Sequence, residues 1–263
     1  MKRFILSLLV CAVPLALSAK IVSKAVPYEH DGVKLEGYLA YDDAKTGAGL
    51  QPGVLVIHEW WGRNDFADHQ ARRLAELGYV ALALDMYGAG VATTDAKEAG
   101  TLAGQFYGKP LMAQRAQAGL DQLLATGLVD PKRVAAIGFC FGGSTAMALA
   151  YSGAPLAGVV SFHGGPTPAS AEAAARNQAM FLICHGAADP LVPKEALDRF
   201  LLSLEEGGID YLFIAYQGAK HAFTNPEADR YAALNQINGI AYNAAAARRS
   251  WQHMQDFFNE LFH

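Results

Sequence analysis

The sequence predicts an α/β fold: a mostly parallel central sheet flanked by helices, preceded by an antiparallel hairpin. Three observations lead there. Apolar runs recur at Val54–Ile57, Tyr79–Leu84, Val134–Ile137, Leu156–Phe162 and Met180–Cys184, with no polar alternation to face water, as in strands buried on both sides. Helical stretches separate these runs, the pattern of crossover connections. Ahead of them, Asp31-Gly32 sits between two alternating segments, Ile21 to His30 and Val33 to Tyr41, and marks a tight hairpin.

The elements follow in chain order. A glycine-rich loop, Thr46 to Gly53, leads from the hairpin into the first buried strand. Asn64 then caps a helix whose Phe66, Leu74 and Leu77 alternate with Asp68, Arg72, Arg73 and Glu76, and Gly78 ends it. After the strand at 79–84, Ala96 to Gly127 is helical with a break at Gly108-Lys109-Pro110. The strand at 134–137 feeds a glycine-rich turn, with a helix from Thr145 to Tyr151 beyond it. An alanine-rich stretch, Pro168 to Ala175, separates the next two strands. Pro193 to Glu206 is an amphipathic helix stopped by Gly207-Gly208, and Tyr211–Tyr216 is the last strand. The tail from about Ile240 to Phe262 carries Trp251, Met254, Phe257, Phe258 and Leu261 at the spacing of a core-facing helix. No repeat or linker interrupts this series, so residues 20–263 read as one domain.

The ends and the charge narrow the class. Lys2 and Arg3 precede an apolar run from Phe4 to Leu17, and Ser18-Ala19 close it, the layout of a signal peptide over residues 1–19. That run is short for a membrane span, so the expectation is an exported, periplasmic or secreted protein without a stable membrane anchor. Cys11 is not read as a lipidation site, because the apolar run continues past it. Losing Lys2 and Arg3 moves the formal net charge from −4 to −6, and the scattered charges leave no footprint for nucleic acid. Only Cys140 and Cys184 then remain, which is no disulfide framework, although a bridge between them is conceivable. A monomer is the working expectation.

The most informative segment is Gly138-Phe139-Cys140-Phe141-Gly142-Gly143. Glycines two before and two after a central residue allow a sharp strand-to-helix turn that displays one side chain above a sheet, and Cys140 occupies that place. A thiol of ordinary pKa is only a few per cent ionised at neutral pH, so a nucleophilic cysteine needs a base nearby. In parallel sheets partners are sought on loops after the strands. Asp189 lies on the loop after Met180–Cys184, where its plainer role is an Asp-Pro turn. His221 lies on the loop after the last strand. The chain order Cys140, Asp189, His221 is that of nucleophile, acid and histidine in α/β-hydrolases.

His58-Glu59-Trp60-Trp61-Gly62 follows the first buried strand. The backbone N–H groups of Trp60 and Phe141 are the expected oxyanion hole. Glu59 is an unusual residue there, because a buried carboxylate is costly unless paired. Either it forms a salt bridge with Arg63 or Arg133, or it contacts the Cys140 thiol and sets its protonation.

Taken together, the elbow, His58-Glu59-Trp60-Trp61-Gly62, Gly186-Ala187-Ala188-Asp189 and Gly218-Ala219-Lys220-His221-Ala222-Phe223 resemble the dienelactone hydrolase family over about Val26 to Phe262. The resemblance implies a carboxylic ester hydrolase of the carboxymethylenebutenolidase type. It implies hydrolysis of ester or lactone bonds by a Cys140-Asp189-His221 triad through an acyl-thioester. It also implies a gating role for Glu59, paired with the resting thiol and taking its proton when substrate binds, with no metal or organic cofactor. Two arginines that grip a substrate carboxylate in the family are replaced here by Ala89 and Asn225, which points to a neutral small-molecule substrate. Trp61, Tyr87, His163, Phe223 and Asn225 are expected around the substrate pocket. Two other classes stand beside the hydrolase: a thiol redox or sensor protein using Cys140, and a noncatalytic binding module on the same fold.

Overall fold

The computed structural model describes residues 20–262; the predicted leader, with Cys11, lies outside them. The hairpin forms as expected from β1 (Ile21–His30) and β2 (Val33–Asp42), with Asp31 and Gly32 both at positive φ, 50° and 74°, as a two-residue hairpin turn requires. A short helix, α1 (Asp43–Thr46), precedes β3 (Gln51–Ile57), α2 (Asp65–Leu77) and β4 (Val80–Leu84). Helices α3 (Ala96–Gly104) and α4 (Leu111–Ala125) lead to β5 (Val129–Phe139) and α5 (Phe141–Tyr151). The second half alternates as β6 (Gly158–Phe162), α6 (Ala171–Arg176), β7 (Met180–Gly186), α7 (Lys194–Glu206) and β8 (Tyr211–Tyr216), then closes with α8 (Ala228–Asn235) and α9 (Ala244–Phe262).

All eight strands join one sheet in the order β1-β2-β4-β3-β5-β6-β7-β8, antiparallel through β1, β2 and β4 and parallel from β4 to β8. Strand alternation sorts its buried residues into two layers. Leu55, Ile57, Leu82, Leu84, Ala136 and Phe181 pack with Leu120, Leu123, Met147 and Phe200 of α4, α5 and α7. Val54, Val56, Ala81, Ile137, Val160 and Leu182 pack with Leu74, Met254 and Phe258 of α2 and α9. Because β4 lies on one side of β3 and β5 on the other, the connections diverge at β3/β5. A crevice forms beyond strand ends at such a switch point.

Several boundaries differ from the sequence reading for local reasons. Helix α5 begins at Phe141 rather than Thr145, although Gly142 and Gly143 are poor helix formers. A Cβ on Gly142 would stand 2.2 Å from the Ile57 carbonyl oxygen and one on Gly143 2.5 Å from Ser161 Oγ, so close approach to the sheet decides these residues. The last helix starts at Ala244, not Ile240, because Gly239, Ala241 and Asn243 hydrogen-bond to the His221–Phe223 segment instead. Helix α8 was not anticipated; only Ala228 and Tyr231 of its eight residues are buried, too few for a periodic signal.

Candidate active site

Cys140 stands between β5 and α5 at φ 52° and ψ −115°, a left-handed backbone that a non-glycine residue adopts only when its surroundings impose it. Those surroundings are explicit. The Cys140 amide donates to the Phe162 carbonyl at 3.0 Å, and a Cβ on Gly138 would fall 2.0 Å from the Gly142 carbonyl oxygen. Among the described residues five non-glycines have positive φ, and three of them, Cys140, His163 and Ala222, lie at or beside this site.

Asp189 and His221 come from neighbouring loops stitched together by backbone bonds, Ala187 to Tyr216 at 3.0 Å and Ala188 to Ala219 at 2.9 Å. Gly186 permits this approach, since a Cβ there would meet the Ala219 and Lys220 carbonyl oxygens at 2.7 Å. The buried Asp189 accepts from His221 Nδ1 at 2.8 Å through Oδ2 and from the Leu191 amide at 2.9 Å through Oδ1. It therefore bonds the histidine through one oxygen and the turn through the other. The His221 backbone is fixed by Gly239 and Ala241. Burial alone would lower the pKa of His221, but the electrostatic influence of Cys140, the Asp189 hydrogen bond and the hydrogen bond with Cys140 outweigh it and raise it to about 10.

Glu59 is buried and takes neither partner that its sequence context suggested. Arg63 pairs with Asp68 at 2.8 Å and Glu36 at 3.0 Å, and Arg133 pairs with Asp130 at 2.8 Å. The resting pair with the thiol is not formed either: Oε2 accepts from Asn225 Nδ2 at 2.6 Å, and Oε1 has no hydrogen-bond partner. Burial raises the Glu59 pKa to about 7, against the smaller lowering effects of Asn225 and His221. The position expected to hold a substrate-gripping arginine thus holds an amide that grips Glu59.

A cavity of about 260 Å³ opens over these groups. Cys140, His221 and Glu59 line it together with Trp60, Trp61, Ala96, Leu191, Ala222, Ile237 and Ile240, and no Lys or Arg does. Of the expected pocket residues, Trp61 is in this wall and four are elsewhere. Tyr87 supports the loop from behind, its hydroxyl donating to the Trp60 carbonyl at 3.0 Å. Phe223 is fully buried in the layer packed by α9, His163 is buried beside it, and Asn225 reaches Glu59. Ile237 and Ile240 enter from the segment before α9, a tertiary placement that no local pattern announces. His58 was also missed as a support: buried and lowered to about pKa 4 by burial, it donates through Nδ1 to the Glu59 carbonyl and accepts the Met86 amide at Nε2, 3.2 Å away. The amide of Phe141, first in its helix, has no intrahelical acceptor.

The dienelactone hydrolase family model matches residues 35–262. The chain belongs to the dienelactone hydrolase family. It is a dienelactone hydrolase-like hydrolase, a family of ester and lactone chemistry. A solved dienelactone hydrolase-like promiscuous phosphotriesterase from metagenomic libraries is 41% identical, with a TM-score of 0.87 covering 94% of this chain and 100% of that one. A solved structure named m3DLH is 40% identical, also at a TM-score of 0.87, over 92% of this chain and 99% of that one. Protein usf of Aquifex pyrophilus is 29% identical over 91% of this chain and 99% of its own length. None of these relatives supports the redox alternative for this hydrolase, and Cys140 and Cys184 are both free thiols. Among the described residues no helix is long and apolar enough to cross a membrane.

Proposed function

We propose that the hydrolase cleaves neutral, apolar carboxylic esters or lactones through an acyl-thioester on Cys140. The observation that carries this reading is the cavity wall, apolar around Cys140 and His221, with Glu59 its acidic side chain and no Lys or Arg to grip a substrate carboxylate. In the first step the Cys140 thiolate attacks the carbonyl carbon, the C–S bond forms, and the carbonyl electron pair moves onto oxygen. The N–H groups of Trp60 and Phe141 stabilise that oxyanion. Its collapse breaks the C–O bond, and the departing alkoxide takes a proton from His221, whose cation Asp189 stabilises. His221 then removes a proton from water, which attacks the thioester, and collapse returns the thiolate and releases the acid. Glu59 is the group that takes the thiol proton when substrate enters and returns it to the thiolate when the product acid leaves.

The test compares 4-nitrophenyl butyrate with an ester of the same length ending in a carboxylate. The neutral ester should be preferred by about tenfold or more in kcat/KM, since the carboxylate gains no charge-assisted bond and must approach Glu59. Preference for the carboxylated ester would overturn the substrate class. A neutral phosphotriester belongs on the same panel, because the 41% identical relative is named for that activity. We further propose that the enzyme acts after export, with residues 1–19 as its leader, which fractionation and N-terminal sequencing of the mature protein would test.

A further inference from the structure

We propose that His163, tied to Thr224, is a positioning residue that holds the His221 ring in the orientation its chemistry with Cys140 needs. This rests on the reading of His221 as the acid–base residue. His163 follows the last residue of β6, and that corner serves the site twice. The Phe162 carbonyl accepts the Cys140 amide at 3.0 Å, and the His163 amide donates to the Cys184 carbonyl at 2.8 Å. The His163 backbone is left-handed at φ 43°, and its side chain is 1% exposed. From there the ring stands 5.3 Å from the His221 ring at 62° and 5.2 Å from the Phe223 ring at 76°. Its Nε2 lies 2.7 Å from Thr224 Oγ1, three residues beyond His221 on the same loop.

Geometry gives this contact its purpose. Asp189 holds His221 at Nδ1, and once the reaction breaks its bond with Cys140 the ring can pivot about that single atom. His163 meets the same ring from the side and grips its loop at Thr224, which removes the pivot. His163 Nδ1 is buried without a partner. A bare lone pair there costs less than an unpaired N–H, so the proton belongs on Nε2, donated to Thr224. Burial first and the charge of His221 second drive the pKa of His163 well below its ordinary value. The pair of imidazoles therefore carries one positive charge, and His221 is the ring that bears it.

Thr224→Val removes the acceptor while keeping the side-chain shape, and His163→Phe keeps a ring while losing the donor. With 4-nitrophenyl butyrate each should lower kcat about ten- to a hundredfold at nearly constant KM and displace the limb of the pH profile that belongs to His221. The double variant should be no slower than the slower single one, and Thr224→Ser should recover activity to within about threefold of wild type. A Thr224→Val enzyme within about twofold of wild type and with an unchanged pH profile, or additive losses in the double variant, would overturn the proposal. If His163→Phe does not fold, the Thr224→Val and Thr224→Ser pair decides alone. Full hydrolysis by Cys140→Ala would overturn the underlying catalytic reading instead, so the two failures are distinguishable.

Discussion

Asn225 donates a 2.6 Å hydrogen bond to Oε2 of Glu59, joining the loop beyond His221 to the loop beyond β3 across 166 residues of chain. A neutral amide offsets only part of the cost of burying the carboxylate, which is why Glu59 titrates at about 7 rather than in the usual carboxylate range. Asn225→Leu removes that help. The acidic limb of kcat/KM should then move to higher pH, and a pH profile that does not move would show that Glu59 does not control it.

The same raised pKa makes a stability prediction with a definite sign. Below pH 4.5 Glu59 is protonated in both the folded and unfolded chain, and between 4.5 and about 7 the folded protein holds a proton that the unfolded chain has released. Wild type therefore loses stability from this group as pH rises through that window, by about 3 kcal/mol in all. Glu59→Gln lacks the effect. Denaturant titrations should show the variant gaining about 3 kcal/mol on wild type between pH 4.5 and 8, and a constant difference would contradict the assignment.

Asp189→Asn separates orientation from folding. The amide oxygen can still accept the Leu191 N–H, while an N–H facing His221 Nδ1 would force the wrong imidazole tautomer. We expect kcat to fall by about a thousandfold or more with little change in melting temperature. Equal losses of activity and stability would mean that Asp189 is mainly a turn residue.

The elbow glycines test close packing. Gly142→Ala would push a Cβ to 2.2 Å from the Ile57 carbonyl oxygen, whereas at Gly104 in α3 nothing lies within 4 Å. Gly142→Ala should destabilise by about 3 kcal/mol or prevent soluble expression, and Gly104→Ala should stabilise by up to about 1 kcal/mol. Unfolding midpoints of the two variants check both.

What the sequence revealed and what it hid divide along physical lines. The hairpin, the buried strands and the helix from Asn64 to Gly78 were legible because turn chemistry, apolar runs and caps are local. Cys140, Asp189 and His221 were legible as candidates because each follows a strand, and the fold brings them together. The partner of Glu59 was not: Arg63 and Arg133 looked available until the fold engaged them with Asp68, Glu36 and Asp130, and Asn225 read as a pocket residue. His163 was legible as a residue after a strand, but not its side: it sits beside His221, away from the cavity wall. Ile237 and Ile240 were hidden entirely, because a connecting segment shows no periodicity to mark the face it will cover.

The most direct test of a thioester on Cys140 is mass spectrometry of the enzyme quenched during turnover of 4-nitrophenyl butyrate. The account predicts a butyryl increment on the peptide containing Cys140, none on Cys184, and loss of both adduct and turnover in Cys140→Ala. Turnover by Cys140→Ala at the wild-type rate, with no acylated cysteine, would contradict it.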